Sequence, residues 1–281
     1  MKNFFIIANR SKNGIEEFST AVREYIEAKG GKCVIDKDDD NDIHVIKNQV
    51  PSDTECIIVL GGDGTLLQAT ADLADLEIPF IGINLGTIGF LTAVERTDFE
   101  KAIDQLLKDE YIIESRMMVA GTIIKADDVQ TTEKALNEIV ITGNEPMQLV
   151  LASVYVNGQL LHRYEADGLI VATPTGSTGY SMSAGGPILK PTGKNIILTP
   201  ICPHSMHNRS IVLAEDDEVI IKAELDRNGK NQSLRVLFDG KNGISLSSGD
   251  NVSIRRDERV VNIVKLKEES FLATLHNKLK D

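Results

Sequence analysis

Apolar residues fall in short blocks through the first third of the chain, and the spacing within them changes from block to block. Phe4 to Ala8 is a continuous apolar run and reads as a buried strand. Ile15, Phe18, Val22, Tyr25 and Ile26 then recur at helical spacing, and Gly30-Gly31 ends that helix. Lys32 to Ile35 reads as a short strand and Ile57 to Leu60 as another. Thr65 to Ala74 reads as a helix, and Pro79 to Asn84 as a third apolar run ending in a glycine-containing loop. Strand and helix alternating in this way predict a parallel sheet covered on both faces.

From about residue 115 the texture changes to runs of Val, Ile, Leu and Thr separated by turn signals. Val154–Val156, Asn157-Gly158 and Gln159–Leu161 predict a hairpin, because Asn-Gly suits a type I′ turn. Further strands are expected at Ile196–Thr199, Ser210–Leu213, Glu218–Ala223, Leu234–Phe238 and Asn251–Arg255. No long helical pattern interrupts them, so this half is expected to be antiparallel and all-β. The chain closes with an expected strand, Val260 to Leu266, and a short helix, Phe271 to Leu279. The organisation read from the pattern is an α/β domain over residues 1–115 and a β-rich domain over 116–259.

Composition adds exclusions. With 281 residues, 42% hydrophobic and 26% charged, the chain has material for a sizeable core. A formal net charge of −12 makes a nucleic acid or an anionic membrane a poor partner. A polyanionic small ligand remains compatible with it, held by backbone N–H groups, a few cationic side chains and a bound cation. Cys33, Cys56 and Cys202 are scattered, without metal-ligand spacing, and read as reduced thiols of a cytoplasmic protein. No apolar run is long enough for a membrane span, and Phe4–Ala8 is too short for a signal core.

Some charged clusters read as structure rather than chemistry. Asp36–Asp42 resembles a calcium loop, but Asn41 stands where glycine is needed and Lys47 at the twelfth position, so a solvated acidic loop is expected. His204 and His207 are three apart, yet Pro203 and Ser205 favour a loop and no carboxylate completes a metal set. Asp239-Gly240 and Asn242-Gly243 read as turns between strands, and Arg255-Arg256 as a solvated charge pair.

Three strings carry candidate chemistry. Gly61-Gly62-Asp63-Gly64-Thr65 lies between an apolar strand and a helix. Glycines there let a phosphate approach the N–H groups of a helix start. The string is not a Walker A motif, since no Gly-Lys-Ser/Thr follows. Phosphates repel a carboxylate, so one placed beside them is explained by holding Mg²⁺ or by taking a proton from an attacking hydroxyl. The bland alternative is that Asp63 only caps its helix. The second string, Ala166 to Pro187, crowds small hydroxyls and glycines around Tyr180; hydroxyls suit sugar and phosphate oxygens, and the ring suits a base. The third, Asn137-Glu138 ahead of Ile139-Val140-Ile141, is weak alone.

Together, GGDG, the Asn-Glu pair and DGLIVATPTGSTGYSMSAGGP resemble the NAD kinase family, with Ile88–Leu91 and Pro203–Ser205 also fitting over roughly residues 3–270. The resemblance implies a Rossmann-like α/β domain akin to that of diacylglycerol kinases, a β-rich NAD-binding domain, and residues 260–281 returning to the first domain. It implies transfer of the terminal phosphoryl group of ATP (or polyphosphate) to the 2′-hydroxyl of the adenosine ribose of NAD, with Asp63 as base. Gly62, Gly64 and Thr65 would lie at the phosphates, and Phe90 against an adenine. Asn137, Glu138, Asp167, Thr175, Ser177, Thr178, Gly179, Tyr180 and Ser183 would line the nucleotide site. Mg²⁺ is expected through nucleotide phosphates rather than a protein cage, and the protein as a homodimer or homotetramer. The family usually carries alanine where Gly179 stands, which puts a looser loop or a larger pocket here. A lipid or sugar kinase sharing GGDGT, and a non-catalytic dinucleotide sensor on the same fold, are the competing readings.

Overall fold

The computed structural model describes the chain except residues 38–46, 87–88, 93, 146–147, 206–208, 242, 267–270, 279 and 281. The chain divides into two compact units, Met1–Ser115 with Val260–Asp281, and Arg116–Arg259.

The first unit is built on a parallel sheet. Its strands are β1 (Asn3–Ala8), β2 (Lys32–Ile35), β3 (Cys56–Gly61), β4 (Phe80–Asn84) and β5 (Val94–Glu95). β1 lies between β2 and β3, β4 follows β3, β5 pairs with β4, and every one of these pairings is parallel. The longer helices among the described residues of this stretch are α1 (Ile15–Ala28), α2 (Asp63–Leu73) and α3 (Phe99–Leu107). α1 buries Ile15, Phe18, Val22 and Ile26, the stripe its spacing prescribes, against Phe4, Ile6 and Ile58 of the sheet. Each such side chain contributes roughly 1.5–3 kcal/mol through burial. α3 was not anticipated, although Phe99, Ala102, Ile103 and Leu106 have the required spacing.

The second unit is β-rich. It holds β6 (Ile112–Ile124, entering from the first unit), β7 (Gln130–Ala135), β8 (Glu138–Gly143), β9 (Val150–Val156), β10 (Gln159–Ala166) and β11 (Gly168–Ala172). A single helical turn, α4 (Tyr180–Ser183), precedes β12 (Asn195–Ile201), β13 (Ile211–Ala214), β14 (Val219–Ala223), β15 (Ser233–Phe238), β16 (Ile244–Ser247) and β17 (Asn251–Lys265). Six strands form an antiparallel sheet in the order β13-β12-β11-β8-β15-β16. One face of it packs Leu169, Val171, Ile139 and Val236 into the main core of the unit. The other face packs Val140, Ile170 and Ile197 under Ala184 and Leu189, so both faces of β11 are buried. The hairpin falls at Asn157-Gly158, with φ of 49° and 77° as a type I′ turn requires.

Three expectations are corrected. Asn251–Arg255 and Val260–Leu266 are one strand of 15 residues, β17, whose C-terminal end pairs with β4 in parallel at Ile263 and Phe80. The charges between them do not break it because they are paired or exposed: Arg255 pairs with Glu218 at 2.6 Å, Arg256 with Glu215, and Asp257 with Lys134 at 3.1 Å and with Arg259 at 3.2 Å, while Glu258 is exposed. Arg255-Arg256 is therefore not merely solvated. Asp36 is buried, accepts the Ala8 N–H at 3.3 Å and lies 3.8 Å from Arg10, so it stands apart from a solvated loop. The rest of the acidic run, apart from Lys37, lies outside the described residues, as do His207 and Asn242. The chain ends in α5 (Phe271–Lys278). Among the described residues no helix is long and apolar enough to cross a membrane.

Candidate functional site

β1 and β3 end side by side, and a helix starts at the end of β3. α2 begins at Asp63 rather than Thr65, with Gly62 in the N-cap position. The Asn9 side-chain amide, just past β1, donates to Thr65 Oγ1 at 2.9 Å and ties the two strand ends together. Asp63 occupies the first helical position but makes no cap for α2. Its carboxylate reaches across to the loop after β4. Oδ2 accepts Phe90 N–H at 2.8 Å; Oδ1 accepts Leu91 N–H at 3.2 Å, Thr92 N–H at 2.9 Å and the Thr92 hydroxyl at 2.9 Å. Gly89 lies so close that a Cβ there would stand 1.9 Å from Oδ1. The bland reading of Asp63 as a helix cap is thus replaced by another structural role, gathering the donors of residues 90–92.

A carboxylate has about four lone-pair positions, two on each oxygen. Oδ1 is filled by three donors, while Oδ2 has one donor and one position open. Gly64 is exposed, and Gly62, Asp63 and Thr65 are half-buried, so the start of α2 is open to a ligand. The half-buried Phe90 ring has Lys278 Nζ of α5 5.9 Å from its centroid.

In the second unit the segment Leu136-Asn137-Glu138 enters β8. Its N–H groups at all three positions donate to the Asp239 carboxylate, at 2.7, 2.8 and 3.0 Å. Its carbonyls at 136 and 137 accept the Thr173 hydroxyl at 2.5 Å and the Thr173 N–H at 2.8 Å. Gly176 fits flat against it, since a Cβ there would stand 2.2 Å from Asn137 O. The backbone is pinned on both sides, yet Asn137 Oδ1 and Glu138 Oε2 are buried without a hydrogen-bond partner. Thr175 Oγ1 shares that condition. Burial, and after it the Asp239 charge, push the Glu138 carboxyl up to about 7. Burial likewise raises Asp239, against the pull of the three N–H groups.

The run from Thr173 to Pro187 is not the surface loop its polarity suggests. Thr173, Thr175, Ser177 and Ser181 are buried. The Ser177 hydroxyl donates to Pro174 O at 2.7 Å and accepts Leu189 N–H at 3.0 Å, so it closes the loop on itself. Thr178 Oγ1 bonds back to Thr175 O at 3.3 Å. Tyr180 is 46% exposed, with its ring free for contact; Ser183 and Asp167 are also exposed. Gly179 sits beside the unpartnered acceptors, where a Cβ would lie 3.0 Å from Glu138 Oε2 and 3.4 Å from Asn137 Nδ2.

Matched against known families, residues 2–111 fit the ATP-NAD kinase N-terminal domain and residues 136–266 the ATP-NAD kinase C-terminal domain. The chain belongs to the NAD kinase family. An NAD kinase of Lachnospira eligens is 41% identical over 293 residues, covering 99% of this chain and 100% of that protein. One of Agathobacter rectalis is 44% identical, covering 99% of each. The fold is shared with yeast NADH kinase solved with NADH, at a TM-score of 0.87 and 22% identity over 100% of this chain and 88% of that one. It is shared also with an Archaeoglobus fulgidus NAD kinase solved with ATP, at 0.78 and 24%, over 100% and 99%. The protein is therefore an enzyme of the kinase class on a mixed α/β and antiparallel-β frame.

Each unit of this NAD kinase family member gathers its own part of the expected site. Asp63, Gly62, Gly64, Thr65 and Phe90 cluster in the first unit. Asn137, Glu138, Thr175, Gly179 and their neighbours cluster in the second. Three residues of these clusters escaped the sequence reading. Thr92 gave no signal beyond being a threonine, Thr173 lay inside the second string without being singled out in it, and Asp239 was visible only as half of an Asp-Gly turn. Among the described residues no three His, Cys, Asp or Glu side chains converge as a metal site. His204 is exposed and donates its backbone N–H to Glu165 O at 2.9 Å.

Proposed function

We propose that the enzyme transfers the terminal phosphoryl group of ATP to the 2′-hydroxyl of the adenosine ribose of NAD, giving NADP and ADP. The observation that carries this reading is the set of buried, unpartnered acceptors: Asn137 Oδ1, Glu138 Oε2 and Thr175 Oγ1. A buried acceptor without a donor costs roughly 1–3 kcal/mol, and a ligand bearing hydroxyl or amino donors removes that cost. An adenosine offers both. Tyr180, exposed beside them, supplies a face on which a base can stack. Asp167, Thr178 and Ser183 are read as further contacts to the dinucleotide, and Ser177 as the residue that holds the loop in shape.

Asp63 is read as the general base. The 2′-hydroxyl attacks the γ-phosphorus, its proton passes to the carboxylate, and the bond between the γ-phosphorus and the bridging oxygen of ADP breaks. The open lone pair is on Oδ2, so the proton is taken there. Phe90 is placed against an adenine, and the N–H groups around Gly62, Gly64 and Thr65 against phosphate oxygens. Mg²⁺ would arrive on the nucleotide phosphates and neutralise their charge; the described residues offer no cage of three ligands for it. The fitting location for this chemistry is the cytoplasm and the expected assembly a homodimer or homotetramer.

A coupled assay tests the reading. Protein is incubated with NAD, ATP and Mg²⁺, and NADP is detected with an NADP-specific dehydrogenase. NADP is expected from the wild type. Its absence with ATP and its appearance with polyphosphate would change the donor. Its absence with both, with NAD still bound, would leave a sensor.

A further inference from the structure

We propose that Asp239 is a positioning residue for the nucleotide site: by gathering three consecutive N–H groups of Leu136, Asn137 and Glu138, it fixes where the side chains of Asn137 and Glu138 point. The inference rests on the reading that this segment binds NAD. Both oxygens of Asp239 are taken up by those N–H groups, so it acts through the backbone it holds.

The geometry is specific. Asp239 is the first residue after β15 and has a φ of 48°, in the left-handed region that aspartate tolerates. Its own N–H donates to Glu138 O at 3.0 Å, which sets the carboxylate beneath the entry to β8. Oδ2 then takes Leu136 N–H, and Oδ1 takes both Asn137 and Glu138 N–H. Such hydrogen bonds to an ionised acceptor are short and directional. Thr173 grips the opposite edge of the same segment, so the peptide planes of 136 and 137 have little freedom left. A backbone held this firmly beside side-chain acceptors left without partners is the arrangement of a preorganised site. An isolated turn would need neither. A second buried carboxyl beside Glu138 is also costly to place there for a merely structural purpose, since its charge acts unfavourably on that neighbour.

Asp239→Asn tests the role. Its amide has one oxygen, so whichever way it is turned an NH₂ group faces an N–H donor of 136–138. The expected result is a rise of about tenfold in the NAD Kd measured by calorimetry, the equivalent of one good hydrogen bond lost from alignment. Asn137→Ala supplies the discriminating background. If Asp239 works by aiming Asn137 and Glu138, its loss after Asn137→Ala should cost only about threefold or less, because neighbours in one network are not additive. An NAD Kd within about twofold of wild type in Asp239→Asn would overturn the inference. So would the same fold-change in both backgrounds, which is what a general loss of structure gives. An unchanged Kd in Asn137→Ala alone would instead sink the NAD reading of the segment, and the inference with it. Melting temperatures confirm that each variant is folded. Asp239→Ser, which keeps one acceptor, carries the same test where the amide variant does not fold.

Discussion

Two carboxyl side chains, one in each unit, are treated in opposite ways. Asp63 is surrounded by donors: four hydrogen bonds from residues 90–92 reach its two oxygens. Glu138 is nine-tenths buried and has an oxygen with no partner. The first group is already oriented and needs no reorganisation when a proton is to be moved, as a reacting group should. The second carries an unmet demand that only something absent from the chain can satisfy. A carboxylate held rigid by the protein suits chemistry; a carboxyl left hungry by the protein suits recognition. The two kinds of site should therefore fail differently when altered.

The largest effect is expected at Asp63. Asp63→Asn should lower turnover by at least about 10²-fold while leaving the NAD Kd nearly unchanged, as for a lost general base. Wild-type turnover in this variant would remove Asp63 from the chemistry. The contrast is complicated by the second role of Asp63, because an amide nitrogen would meet the N–H groups of 90–92. The loop would be disturbed along with the base, and a variant that spares the charge is needed to separate them.

Glu138 should register next, and in stability. Its carboxyl is raised to about 7 in the folded protein, from an ordinary value of 4.5, first by burial and then by the Asp239 charge. The folded state thus holds the proton more tightly than the unfolded chain between those values. Stability from this group falls as pH rises through that window and is level above it. The full span corresponds to roughly 3 kcal/mol as an upper bound. Glu138→Gln carries no titratable group. Its stability relative to wild type should rise from pH 4.5 to 7 and stay constant above about pH 8, measured by denaturant unfolding. A difference that does not move with pH would mean that Glu138 titrates alike in the folded and unfolded chain.

Much of the frame was legible along the chain, and the reasons are local. β1, α1 and the Asn157-Gly158 hairpin are fixed by periodicity and turn chemistry within a few residues. The continuous β17 was not legible, because whether Arg255, Arg256 and Asp257 break a strand depends on Glu218, Glu215 and Lys134 elsewhere in the chain. The candidate site divides the same way. The glycine strings stand out as words, and the Asn-Glu pair gains weight only beside them. Which hydroxyls of 173–183 face inward does not, since Ser177 and Ser183 look alike in sequence and one is buried while the other is exposed. Asp239 could not be found either: its partners are 101 to 103 residues away, and Asp-Gly alone means a turn.

Recognition in the second unit should be sharpest at Tyr180. With the ring 46% exposed, Tyr180→Ala costs the fold little. Stacking of a base on an aromatic ring is worth about 1–3 kcal/mol. The NAD KM should rise by about tenfold with kcat changed far less, because stacking holds ground and transition states alike. A fall in kcat at constant KM would place the ring nearer the reacting atoms than a base-stacking role allows.

The smallest effect returns to Asp63 and separates its two roles. Thr92→Val removes one donor from Oδ1 and keeps the carboxylate, the three N–H donors and the methyl that packs at Gly82. Oδ1 then has two donors in place of three, and the carboxylate gains some freedom to turn. A drop in kcat of about threefold to tenfold is expected, the scale of one hydrogen bond, with the NAD KM unchanged. Thr92→Ser restores the hydroxyl and should restore kcat. If Thr92→Val turns over like the wild type, the backbone N–H groups of 90–92 alone hold the aspartate. If it falls as far as Asp63→Asn, the loop and not the proton accounts for the loss in both, and the carboxylate would be a structural clasp rather than a base.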